Sequence, residues 1–188
     1  MRRALPGVLI VVVLGLPSIR DALERVMIAH MLVQIPLLAA SGAIVASAIP
    51  PRWKGQLASW NRNGVSGILL ALIASSWWMV PRALDSALAK PAVEVAKFVT
   101  LPLFVGAPLA LSWSRLGGLG QAFVVANVLP MWAVVGWLYA AAPVRVCNFY
   151  LVEQQVDAGR GLLWISAGLG VLAGALAFRT HRQSAIAW

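Results

Sequence analysis

Long, nearly uncharged apolar stretches alternate along this chain with short segments that hold almost all of its lysine, arginine, aspartate and glutamate. A helix of about 17 or more mostly apolar residues can cross a ~30 Å hydrocarbon core. Reading between charges gives spans at residues 4–19, 26–49, 64–81, 98–114, 121–142 and 161–178. The expected fold is therefore all-α: a polytopic membrane bundle of about six transmembrane helices, forming one domain over residues 1–188. The first stretch, with its basic start and apolar middle, also has the form of a signal peptide. It lacks a clear small-x-small cleavage site, so a retained signal-anchor helix is expected.

Composition agrees with this pattern, since 61% of the 188 residues are hydrophobic and 11% charged, against roughly 45–50% apolar in soluble domains. The formal charge of +9 comes from cations at the ends of apolar runs, with no long basic tract, so nucleic acid is not an expected partner. The charges instead report orientation. If both termini face the cytoplasm, that side receives Arg2, Arg3, Arg52, Lys54, Arg62, Arg115, Arg179 and Arg182 without an acid. The other side receives seven cations and all six acids. Trp77, Trp78, Trp113 and Trp164 fall at span ends, as in an interfacial belt, whereas Trp132 and Trp137 lie deeper and read as packing residues. Pro36, Pro102, Pro108 and Pro130 fall within spans and predict bent helices. Ser166, Gly170 and Gly174 form a small-residue stripe that would allow close helix contact.

Two extramembrane segments carry a pattern of their own. Residues 82–97, in "PRALDSALAKPAVEVAK", place Leu84 and Leu88 on one side and read as a short outer amphipathic helix that Pro91 interrupts. The inner loop "PPRWKGQLASWNRNG" mixes cations with Trp53 and Trp60, a composition suited to anionic headgroups.

The candidate chemistry is a soft-ligand set. On a helix, Met27, His30, Met31 and Gln34 stand at i, i+3, i+4 and i+7 and share one face. Thioether and imidazole donors suit Cu(I), and Met79 and Cys147 belong to the same outer side in this topology. Taken alone, Met27 and Met31 are ordinary core fillers and Cys147 a small buried apolar residue. His30 stays open between a functional role and a structural hydrogen bond, because ionisable groups inside spans face a bundle interior or a cavity. Cys147 is the single cysteine, so the chain has no internal disulfide. His30 and His181 fall on opposite faces, which argues against a haem-b subunit with paired axial histidines. No P-loop, dinucleotide fingerprint, HExxH or GxSxG occurs, and the intramembrane charge pathway of a transporter is missing. A non-catalytic role is expected.

Three segments, "AHMLVQIPLLAASG", "WWMVPRALDSALAKPAVEVAKF" and "YLVEQQVDAGRGLLWISAGL", resemble the CtaG family, membrane proteins implicated in assembly of copper-containing cytochrome c oxidase. The first is similar to that family's His-Met-x-x-His-x-x-Leu segment. The second is similar to its Trp-His-x-Pro-x-x-x-Asp-x-Ala-Leu stretch and following Glu-His pair, the third to its Asp-Gln-Gln-x-x-Gly-x-x-x-Trp segment. Here Gln34 stands in place of the second histidine, Met79 in place of the histidine of Trp-His, Ala96-Lys97 in place of Glu-His, and Glu153 in place of the acid before Gln154 and Gln155. The resemblance implies a multi-pass protein of the bacterial inner membrane that partners membrane subunits of a haem-copper oxidase or related respiratory complex, as accessory subunit or assembly factor. The alternative is Cu(I) delivery to the oxidase at the periplasmic face, with copper the cofactor and the soft donors His30, Met31, Met27, Met79 and Cys147 its ligands.

Overall fold

The computed structural model describes residues 3–186, apart from the side chains of residues 51, 54, 58 and 180–186. Arg2 and the side chains of Lys54, His181 and Arg182 therefore lie outside the described residues. The chain forms helices α1 (Leu5–Gly15), α2 (Pro17–Glu24), α3 (Met27–Ser47), α4 (Pro51–Trp60), α5 (Val65–Met79), α6 (Pro81–Ala89), α7 (Pro91–Trp113), α8 (Gly118–Ala141) and α9 (Val152–Ile186), with no strand among the described residues. Four are long and apolar enough to cross a membrane: α3, α7, α8 and α9 through Arg179. The bent pairs α1–α2 and α5–α6 raise that number to as many as six.

Prolines set the breaks. A residue before proline is driven out of the helical region by the pyrrolidine ring, and Leu16, Val80 and Lys90 all have extended ψ, at 129°, 125° and 115°. Each following proline then opens a helix, where its missing N–H costs nothing. The first expected span is thus broken at Leu16, with a 72° bend between α1 and α2. Alone, α1 has 11 residues and rises only about 16 Å.

The expected outer amphipathic helix over 82–97 is divided between two elements. Its first half is α6, bent 71° from α5. Its second half begins α7, which continues to Trp113 and so carries Glu94 and Lys97 into a helix long and apolar enough to cross a membrane. The last helix likewise starts at Val152 rather than near Gly161. Ending spans at charges placed both boundaries too late: at α7 Glu94 and Lys97 are paired with Arg20 and Glu24, and at α9 Glu153, Asp157 and Arg160 are exposed, where a charge does not stop a helix.

Proline also widens two turns. The Ile35 N–H bonds the His30 carbonyl and the Ala107 N–H bonds that of Pro102, five residues back in both cases. Each π turn closes on the residue just before a proline, Pro36 and Pro108, whose ring would otherwise clash with the preceding turn.

Helices α1, α3, α5 and α7 form one body, and α8 and α9 pair as a hairpin. The backbones of α3 and α7 touch: a Cβ on Gly42 would collide with the Pro102 backbone, and one on Gly106 with the Ala39 carbonyl. In the hairpin the close crossing is Gly136 against Gly159, where added Cβ atoms would stand 2.8 and 2.6 Å from the facing carbonyls. The stripe at Ser166, Gly170 and Gly174 does not make that crossing. Ser166 donates to the Leu129 carbonyl at 2.7 Å, while Gly174 has nothing within 4 Å. Trp77, Trp113 and Trp164 are exposed, but Trp78 is buried and donates its indole N–H to Thr100 Oγ1 at 3.0 Å. Trp137, expected to pack inside, is exposed on the hairpin.

Candidate functional site: a buried lysine cage

Where α2, α3 and α7 meet, five side chains close a polar cluster inside the apolar core. Lys97 reaches it because Pro91 starts α7 early enough to place residue 97 in its second turn. His30 and Gln34 come from the first and last positions of the π turn in α3, Glu24 ends α2, and Tyr150 lies in the 142–151 connection between α8 and α9. His30, Gln34 and Lys97 are fully buried.

An ammonium has three N–H bonds and no acceptor, and Lys97 finds three acceptors: Glu24 Oε1 at 2.6 Å, His30 Nε2 at 3.1 Å and Gln34 Oε1 at 3.2 Å. Since Nε2 must accept, the neutral imidazole carries its hydrogen on Nδ1. That hydrogen points to Tyr150 Oη at 2.7 Å, and the phenol donates onward to the Glu24 carbonyl at 2.9 Å. Gln34 Nε2 returns a hydrogen bond to Glu24 Oε1 at 3.0 Å. The outer edge holds a second ion pair: Arg20 lies 3.2 Å from Glu94, one turn before Lys97. Arg20 also pairs with Asp21 at 3.0 Å, so Arg20 and Lys97 face three acids, Asp21, Glu24 and Glu94. Such pairing allows charge to persist in an apolar interior, where an unpaired ion costs several kcal/mol.

A second set of bonds pins the connection that supplies Tyr150. Both oxygens of Asp85 accept from the Asn148 backbone N–H, at 3.1 and 2.9 Å, and Oδ2 also accepts from its side chain at 2.9 Å. Gln155 accepts from the Val146 N–H at 2.7 Å and donates to the Tyr139 carbonyl at 3.2 Å. In this pinned segment Cys147 is fully buried, and burial, with the nearby Asp85 carboxylate, pushes its thiol up to about 11. Burial and the Glu24 carboxylate also raise the Tyr150 phenol. Both groups are neutral at pH 7.

The predicted soft-ligand set divides. Met27, His30, Met31 and Cys147 are all buried at this end of the bundle, and the two methionines and the cysteine belong to its apolar core. Both ring nitrogens of His30 are engaged by Lys97 and Tyr150. Met79 does not join the cage and lines an apolar cavity instead. Among the described residues no three His, Cys, Asp or Glu side chains converge as a metal site. Sequence reasoning missed Glu24, Lys97 and Tyr150, and also the pair Arg20–Glu94. One signal was available: a residue set carrying Glu94 and Lys97 at i, i+3 directly beside an apolar run, with Glu24 just before another.

Comparison with protein-family models, curated proteins and solved structures finds no match for this chain. The class that fold and site define is an all-helical bundle, with four to six helices long and apolar enough to cross a membrane among the described residues and a hydrogen-bonded polar cage in its core.

Proposed function

We propose that this chain is a non-catalytic membrane protein of a haem-copper oxidase or related respiratory complex, a CtaG-like accessory subunit or assembly factor of the bacterial inner membrane. One observation carries the reading. His30, Gln34 and Lys97 stand at three positions where the resemblance puts histidines, lie up to 67 residues apart in sequence, and meet in one cage. Their convergence supports kinship in the bundle. The side chains present support a structural role over copper delivery, because the Lys97 ammonium engages Glu24, His30 and Gln34 where a metal would need them. A fixed internal cation holds α2, α3 and α7 together without an exchangeable ion, leaving the outer surface of the bundle to contact partner subunits.

The test is purification in mild detergent from copper-replete cells, with mass spectrometry, haem spectra and metal analysis of the native complex. The expected result is one-to-one comigration with a haem-containing oxidase and substoichiometric copper on this chain, unchanged by His30→Ala. Stoichiometric copper lost in His30→Ala would establish the delivery reading instead, and recovery as a free protein without haem would refute the association.

A further inference from the structure

The α8–α9 hairpin meets the body near the start of α3, where a Cβ on Gly161 would stand 2.7 Å from Leu32 Cδ1. From there toward the Trp113 end of α7 the hairpin and the body diverge. Between them lies a wedge-shaped cavity of about 590 Å³, walled by α3, α5 and α7 on one side and by α8 and α9 on the other. Its wall is hydrocarbon and aromatic. The Ser75 hydroxyl is turned to the Leu72 carbonyl at 3.0 Å, and the Trp78 indole N–H to Thr100. Ordered water needs two or more polar partners, and a polar ligand would need groups to orient it; this wall suits neither.

Of the occupants a bilayer offers, a hydrocarbon chain brings no polar group that this wall would leave unpaired. Charge selects the headgroup. Trp113 lines the cavity, Arg115 follows two residues later and donates to the Asn61 carbonyl at 2.7 Å, Arg62 lies in the turn between α4 and α5, and Arg52 lies in α4. No acidic residue occurs between Arg25 and Leu84, nor between Phe98 and Val152. Cations with no acid among them attract anionic headgroups near a membrane surface.

We propose that the wedge is a lipid-binding site in which one acyl chain of an anionic phospholipid lies between the hairpin and the body, its headgroup at the Arg115 end. The inference stands apart from the oxidase association and needs only a membrane around the protein. To test it, the full-length chain is reconstituted in vesicles of phosphatidylglycerol and phosphatidylcholine, with a diazirine in the acyl chain of one lipid at a time. After illumination, adducts are mapped by mass spectrometry. Wall residues Leu72, Val105 and Val128 are expected to be labelled by the glycerol probe well above the choline probe, while the exposed Ile73 and Val171 are labelled by both. Ala40→Phe with Ala173→Phe, which fills the wedge from opposite walls, is expected to abolish wall adducts and spare those at Ile73 and Val171, the latter showing that the variant is inserted. Absence of wall adducts in the wild-type chain, equal wall labelling by the two probes, or wall labelling that survives the filled variant overturns the proposal.

Discussion

Replacing Lys97 by methionine keeps the length of the side chain and removes its charge and its three donors. Glu24 then retains only Gln34 as a side-chain partner inside the core, and His30 Nε2 and Gln34 Oε1 lose theirs. Removing one member of a buried ion pair costs about 3–5 kcal/mol, mostly because the other charge stays buried alone. Each orphaned neutral acceptor adds about 1–3 kcal/mol where the surroundings cannot relax. A whole domain has a stability of only about 5–15 kcal/mol, so Lys97→Met is expected to remove a large share of it. Adding Glu24→Gln should restore much of the loss, since the stranded carboxylate disappears; a non-additive coupling of about 0.5–3 kcal/mol is the signature of such contact. Cys147 supplies the assay, as the buried single thiol reacts with a maleimide fluorophore only when the bundle opens. Thermal and denaturant melts in detergent, read by that fluorescence, give the differences. Lys97→Met within about 0.5 kcal/mol of wild type, the usual range of a surface change, would refute the cage as a structural element, and so would simple additivity in the double variant.

The α3–α7 crossing leaves no space for a methyl group, so Gly106→Ala should lower the melting temperature, by overpacking worth about 1–3 kcal/mol, whereas Gly174→Ala, with nothing within 4 Å, should not lower it; circular-dichroism melts compare them. Because burial and Asp85 push the Cys147 thiol up from 9.0 to about 11, folding favours its protonated form. Its contribution is complete below the unfolded value and is lost as pH rises through about 11; melts across pH 8–11 should show a decline that Cys147→Ala reduces, and an unchanged slope in that variant would refute the assignment. For topology, single cysteines at Arg52 and Ser86 in a Cys147→Ala background should label from opposite sides of the membrane with an impermeant reagent; labelling from one side would overturn the six-span reading with both termini in the cytoplasm.

Much of the bundle was legible without coordinates, and what was missed has a common cause. Apolar stretches announced α3, α5, α7, α8 and α9, and prolines at positions 17, 81 and 91 favour the breaks by local sterics, although Ile35, Leu101 and Ala107 stay helical before Pro36, Pro102 and Pro108. Boundaries drawn at charges were displaced at α7, where the charges are paired, and at α9, where they are exposed and leave the helix intact. Met27, His30, Met31 and Gln34 share a buried face as their spacing predicts. What that face touches could not follow from spacing: Lys97 is 67 residues from His30, and Tyr150 is 120.

Helix period, proline sterics and hydropathy act over a few residues, so the sequence by itself determined a chain of helices apolar enough to cross a bilayer and the inward-facing positions on α3. Which groups those positions meet depends on how helices far apart in the chain pack. Only the tertiary structure decided that an internal ammonium, held by a carboxylate, an imidazole and an amide, occupies the place where the residue types alone pointed to a soft metal. The same packing separated the hairpin from the body. A wedge of that kind is a property of crossing angles between helices, and no residue pattern along one helix encodes it.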